Sequence, residues 1–205
     1  MGVKKSKDIH ILGLVGSPRK NHHTDILVQA VLNGAYQAGA QVTKIYLNDL
    51  RINPCQACFK HPYPKYCFFN DGMNKLYKFF ETVDGVVLGT PAYYETISSQ
   101  TKLMIDRCNC LSMITRIDNK KILFTRRIKK PKLGVFIWVA DCSTNLPNAL
   151  WGIKRWLADV NLSLFQTITF LHSERYTKPP QKLQKTAEKV GKLLVGRIKA
   201  ISNSI

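Results

Sequence analysis

The segment Ile9 to Thr24, IHILGLVGSPRKNHHT, constrains this chain most. A short apolar run stops at Gly16, a polar and basic loop follows, and a helix-like pattern begins at Asp25. That is strand, loop, helix. A helix start presents unpaired backbone N–H groups and the positive end of a dipole, so such a loop suits an anion. Gly16 lets the chain leave the strand in a tight turn. Ser17 and Thr24 offer hydroxyls, Asn21 an amide, and Arg19 a fork of donors that matches phosphate oxygens. The loop has neither the G-x-G-x-x-G spacing of dinucleotide sites nor the G-K-[ST] ending of nucleotide triphosphatases. It suits a terminal monophosphate better than a pyrophosphate. The same residues would also make an ordinary βα turn with solvated polar side chains, so the rest of the chain has to decide.

Apolar residues recur at helical spacing after the loop, at Leu27, Ala30, Val31, Ala35 and Ala38, with Gly39 as a stop signal. Val42 to Leu47 reads as a short strand. Asp71 is placed to cap a helix carrying Met73, Leu76, Tyr77 and Phe80 on one face. Asp84 to Thr90, DGVVLGT, has the continuous apolar character of a strand buried in a parallel sheet. A loop from Pro91 to Ile97 leads into a helix through Arg107. Leu111 to Pro131 has no clear period, although Ile122 to Phe124 could be extended. Leu133 to Ala140 is a strand, Leu146 to Val160 a helix, Ser163 to Leu171 a strand, and Leu183 to Ile201 a final helix after Pro180. Five βα units in a row imply an α/β three-layer sandwich around a five-stranded parallel sheet. Ligands of such sheets sit beyond the carboxyl ends of the strands. That brings together Ser17 to Thr24, Pro91 to Ile97 and Asp141 to Asn145.

Length and charge limit the options further. The 205 residues fit one domain, 1–205, with a basic tail over 1–8 and a cysteine-containing loop over 48–70. No apolar stretch is long enough to span a bilayer, and no secretory core follows the basic start, so a cytoplasmic location is expected. The formal charge of +18 gathers at Lys4 to Lys7, Lys120 to Lys132 and Lys178 to Lys199. Such a field concentrates phosphorylated cofactors, acidic proteins and nucleic acid alike. The simpler reading is solvated faces, with nucleic acid not the expected partner.

The segment PAYYETI combines a proline expected to fix a bend, the small Ala92, and two adjacent tyrosines. Aromatic faces stack on flat conjugated rings, and loop N–H groups can bond ring carbonyls and nitrogens. A phosphate loop after the first strand and an aromatic loop after the third suit a flavin mononucleotide along the sheet edge. As plain packing residues, Tyr93 and Tyr94 would carry no such meaning.

GSPRKNHHT, the pair Pro54-Cys55 with Cys58, and TPAYYETISSQTKLMIDR together resemble the flavodoxin-like NAD(P)H-dependent FMN reductases, especially their iron–sulfur flavoprotein branch. The resemblance covers about half the chain, Ile9 to Arg107. It implies a flavodoxin-like sheet of order 2-1-3-4-5, noncovalent FMN, NAD(P)H as co-substrate, and a homodimer or tetramer. It also implies that Ser17, Arg19, Asn21 and Thr24 hold the phosphate, and His23, which departs from the family pattern, could add a phosphate contact. Pro91, Ala92, Tyr93, Tyr94, Glu95, Thr96 and Ile97 would line the isoalloxazine. Gln100, Lys102, Asp106 and Arg107 match the following helix and would serve structure or subunit contact. The flavin itself would carry the chemistry, passing electrons to a quinone, a free flavin, another small acceptor, a redox protein or a cluster. Two other functions stay open: a non-enzymatic FMN electron carrier, and a polyanion-binding protein on the same scaffold.

Two departures from the family pattern matter. His22-His23 stands where the family usually has Gly-Asn. In the cysteine segment PCQACFKHPYPKYC, His61 stands where the iron–sulfur branch has its third cysteine. Cys55, Cys58, His61 and Cys67 remain at ligand-like spacing. Three readings are open: a [4Fe-4S] cluster with one imidazole ligand, a tetrahedral zinc site, or an unmetallated loop. Cys108, Cys110 and Cys142 read as buried or incidental thiols.

Overall fold

A computed structural model of the chain describes residues 9–58, 60, 62, 64–118, 121–141 and 145–203. Five strands form a parallel sheet: β1 (His10–Val15), β2 (Gln41–Tyr46), β3 (Gly85–Tyr93), β7 (Lys132–Val139) and β8 (Leu162–Phe170). Their spatial order is β2-β1-β3-β7-β8, which is order 2-1-3-4-5 among the parallel strands. The helices are α1 (His23–Gln37), α2 (Met73–Thr82), α3 (Ser99–Arg107), α4 (Leu146–Asp159) and α5 (Gln181–Asn203).

Side-chain alternation along the strands divides the core into two layers. Leu12, Leu14, Val86, Leu88, Phe136 and Trp138 pack on the side of α2, α3 and α4. Ile11, Val15, Val87, Val135 and Ile137 pack on the side of α1 and α5. On that second side the two helices meet at backbone distance. A Cβ on Gly34 would lie 1.8 Å from the Glu188 carbonyl, and one on Gly191 would lie 2.0 Å from the Val31 carbonyl. The absence of side chains there lets α1 and α5 close over the sheet.

Three features depart from the simple βα succession. A short strand, β4 (Thr96–Ile97), turns back antiparallel on the end of β3. The region without a clear period contains a two-stranded antiparallel hairpin, β5 (Ser112–Asp118) and β6 (Lys121–Arg126). It lies outside the main sheet. Finally, Pro91 does not bend the chain: it lies inside β3, opposite Val139 of β7. The reversal comes three residues later, because β7 keeps β3 extended past the proline.

Among the described residues no helix is long and apolar enough to cross a membrane.

Candidate functional site

The site is built on the loop between β1 and α1. Gly16 opens it, and its N–H donates to the Gly89 carbonyl of β3 at 2.8 Å. The Ser17 hydroxyl is buried and accepts from the Arg19 N–H at 3.2 Å, folding the loop into a compact turn. Asn21 takes the left-handed conformation, φ +56°. It is held there because its N–H donates to Asp25 Oδ2 at 2.7 Å. Asn tolerates that conformation better than most residues. Thr24 is buried in the first turn of α1, whereas Arg19 is exposed beyond the loop.

Asp25 organises this loop, a role that no motif marked. It is buried in the first turn of α1, where a carboxylate favours the helix dipole. Lys44 Nζ donates to it at 2.8 Å and the Tyr46 hydroxyl at 2.9 Å, both from β2. Burial by itself raises the Asp25 pKa. The bonds from Lys44, the Asn21 N–H and Tyr46 outweigh it and hold the carboxyl below its ordinary value. Lys44 also offsets a charge that would otherwise repel a phosphate at the same helix end.

The two histidines at the start of α1 differ. Burial lowers the His22 pKa, and the neighbouring charges of Arg19 and His23 lower it further. His23 is buried edge-on against Phe170 of β8, with ring centroids 5.4 Å apart. Its Nε2 is buried without a hydrogen-bond partner. An orphaned polar atom beside a helix N-terminus is a feature that a bound anion would satisfy.

The second wall is a hairpin. Ala92 pairs with Ile97 and Tyr93 with Thr96, leaving Tyr94 and Glu95 as a two-residue turn. Both take positive φ, +47° and +63°. Hairpin turns of that shape favour Asn-Gly, so Tyr-Glu stores strain here. Tyr94 is fully exposed and Tyr93 partly so. Ala92, Tyr93, Tyr94, Ile97, Ser99 and Lys102 line an open cleft of about 600 Å³. That size falls in the range of small-ligand sites.

A buried hydroxyl cluster joins the two walls. Ser98 caps α3 by accepting from the Thr101 N–H at 3.3 Å. Its own hydroxyl donates to the Gly16 carbonyl at 2.7 Å. Thr90 Oγ1 accepts from the Ser98 N–H at 3.0 Å, and Thr101 Oγ1 bonds Thr90 Oγ1 at 3.2 Å. Thr90, Ser98 and Thr101 are positioning residues that motif reading missed. The one available signal was Ser98 in the cap position of a helix. Of the third expected loop, Asp141 accepts from the Ser173 hydroxyl at 2.6 Å, and residues 142–144 lie outside the described residues.

The cysteine segment lies at the far end of α3. Cys55 and Cys58 are exposed, Cys67 is half-buried, and His61 lies outside the described residues. Among the described residues no three His, Cys, Asp or Glu side chains form a group that could hold a metal ion. The segment is anchored by Arg107, which is buried and paired with Asp71 at 2.6 Å. Arg107 also donates to the Asn53 carbonyl at 2.7 Å and approaches Cys67 Sγ at 3.4 Å. Cys108 is buried in the core, Cys110 is half-buried, and Cys142 lies outside the described residues.

A profile of the NADPH-dependent FMN reductase family matches residues 9–127, which hold both walls and the cysteine segment. The chain belongs to this family. Among the relatives of this family member is an iron–sulfur flavoprotein of Methanocaldococcus jannaschii. It is 32% identical over 110 residues, covering 54% of this chain and 57% of the relative. The chain spans about half the length of the curated relatives it matches. Two solved structures share the fold. A flavone reductase superposes with a TM-score of 0.68 at 18% identity, over 96% of this chain and 65% of that one. A flavodoxin from the domain Archaea does so with a TM-score of 0.56 at 11% identity, over 93% and 99%. The fold of this family member is therefore flavodoxin-like.

Proposed function

We propose that this chain binds FMN noncovalently and uses it as an NAD(P)H-dependent oxidoreductase. The observation that carries the reading is the Ser98–Gly16 bond, which locks the anion loop and the aromatic cleft side by side at the carboxyl end of the sheet. The FMN phosphate would sit on the N-terminus of α1, held by Ser17, Asn21, Thr24 and the Arg19 guanidinium. His23 Nε2 would gain the partner it lacks. The ring would lie in the cleft against Tyr93 and Tyr94, with backbone groups of residues 91–97 bonding its polar edge. When bound, FMN supplies two-electron chemistry, taking hydride from NAD(P)H and returning electrons to an acceptor. The protein's part is to orient the ring and leave one face open. The acceptor is a quinone, a flavin or another small oxidised molecule. By the name the relatives carry, a second redox group would be an iron–sulfur cluster on the cysteine segment. The working assembly is a homodimer or tetramer.

The test is an FMN titration of the purified chain followed by flavin fluorescence, then NADPH and NADH oxidation with a quinone present. Saturable binding with quinone-dependent oxidation of either nicotinamide supports the reading. A chain that never takes up FMN refutes it. FMN binding without nicotinamide oxidation would refute the enzyme and leave an electron carrier.

A further inference from the structure

The cysteine motif is one thiol short, since His61 occupies the third position. The tertiary structure brings in another. Cys110, which follows α3 in a short turn, lines the same small cavity as Cys55, Cys58 and Cys67. It lies more than forty residues from the motif, so spacing could not reveal it.

One cation lines this cavity, and a second binds the backbone of the segments that carry its thiols. Arg107 forms part of the wall, and its Nε–H is buried without a hydrogen-bond partner. Its Nη2 already reaches Cys67 Sγ. Arg127, just beyond β6, ties the two sources of thiols together. Its guanidinium donates to the Lys65 carbonyl at 2.9 Å and reaches the Tyr66 and Cys110 carbonyls at 3.5 and 3.4 Å. Four thiols and the unsatisfied Nε–H of Arg107, whose charge is paired with Asp71, form a setting for a sulfur-rich guest.

We propose that Cys110 is the fourth thiolate ligand, with Cys55, Cys58 and Cys67, of an iron–sulfur cluster in this cavity. The proposal rests on the cluster reading given above and names the ligand that the motif lacks. In a cubane each thiolate binds a different iron, so the four sulfurs ring the cluster instead of meeting at one point. The four thiols share one cavity but do not stand together as a metal-holding group among the described residues, so loading has to draw them together. Each thiol gives its proton to solvent as its sulfur binds iron. Arg107 Nε–H would then donate to a cluster sulfur. The cavity holds about 30 Å³ as it stands, so loading moves one wall outward. Cys55 and Cys58 lie on the exposed side, in a stretch with neither helix nor strand, and that wall can yield.

The experiment is anaerobic reconstitution of the full chain with ferrous iron and sulfide, and separately with zinc. Bound iron, acid-labile sulfide and zinc are counted per chain, and the visible circular dichroism is recorded. The wild type, Cys110→Ser, His61→Ala and Cys108→Ser are compared, with FMN titration and thermal melting on each. The expected result is about four irons and four sulfides per wild-type chain. Cys110→Ser loses most of both and the cluster dichroism, with melting and FMN binding retained. His61→Ala and Cys108→Ser keep the cluster. Cys110→Ser loaded like the wild type overturns the proposal, as does His61→Ala losing the cluster in its place. A wild type that takes up zinc alone, or no metal, overturns it too. FMN uptake is read independently, so failure of the flavin reading is distinguishable from failure at Cys110.

Discussion

The Ser98 hydroxyl donates to the Gly16 carbonyl at 2.7 Å, joining residues eighty-two positions apart in the chain. One atom of Ser98 thereby serves three purposes. It caps α3, ties the loop between β1 and α1 to the aromatic hairpin, and completes a buried cluster with Thr90 and Thr101. The two loops are held side by side by this contact together with the pairing of β1 and β3.

Gly16→Ala tests that dependence. A Cβ there would lie 2.0 Å from Thr101 Oγ1 and 3.1 Å from the Gly89 carbonyl. The side chain has to displace the hydroxyl cluster, so stability should fall by about 1–3 kcal/mol, as for other overpacked sites. Ser98→Ala should cost a similar amount by removing a helix cap and a buried bond. Urea unfolding measures both, and either variant unfolding like the wild type contradicts the account.

Arg19→Ala should behave in the opposite way. Arg19 is exposed. Removing it should leave the melting temperature within about a degree or two, because surface changes are near neutral. It should weaken FMN binding roughly tenfold or more, the worth of a charge-assisted bond to phosphate. Equal FMN affinity in the two proteins would remove Arg19 from the phosphate site.

Acid should expose the role of Asp25. Its folded pKa is depressed, so it contributes stability above its unfolded value near 3.9 and loses it as pH falls through the folded one. Asp25→Asn should be less stable than the wild type at neutral pH. The difference should shrink as pH falls below about 4. Chemical unfolding over that range checks it, and a constant gap would mean that Asp25 acts without its charge.

Alkali should reveal Lys132, which is buried at the start of β7 and donates to the carbonyls of Lys130 and Val160. Burial pushes its pKa down to about 8, and the charge of Lys130 adds to the effect. A depressed lysine opposes folding while it must carry its proton. Stability from this residue should therefore rise as pH climbs from about 8 to 10.5, by at most about 3 kcal/mol. Buried Tyr77 and Cys108 have raised values and pull the other way, so the comparison is with Lys132→Met. The wild type should gain on the variant across that interval; parallel curves would show that Lys132 stays charged.

The order of elements and the class of sheet were legible in the chain because they follow from local periodicity. DGVVLGT cannot be much other than a buried strand, and a glycine-ended strand before a polar loop and a helix marks a βα unit. The loop between β1 and α1 and the aromatic segment were legible as segments for the same reason: each is a continuous stretch. Pro91 was misread because its neighbour β7, far along the sequence, holds it extended. Of the hairpin of β5 and β6, only the extended stretch Ile122 to Phe124 was legible, because the pair lies outside the main sheet and its strands lack clean alternation. Asp25 gave no signal, since its meaning comes from Lys44 and Tyr46 on another strand. Cys110 gave none either. A motif records ligands that a loop brings together by itself, whereas Cys110 meets the cysteine segment only because α3 carries it there and Arg127 clamps the two. Sequence determines what each segment can become on its own. Which distant side chains share a burial site is decided only when the segments pack, because buried polar groups must find their partners in whatever lies next to them.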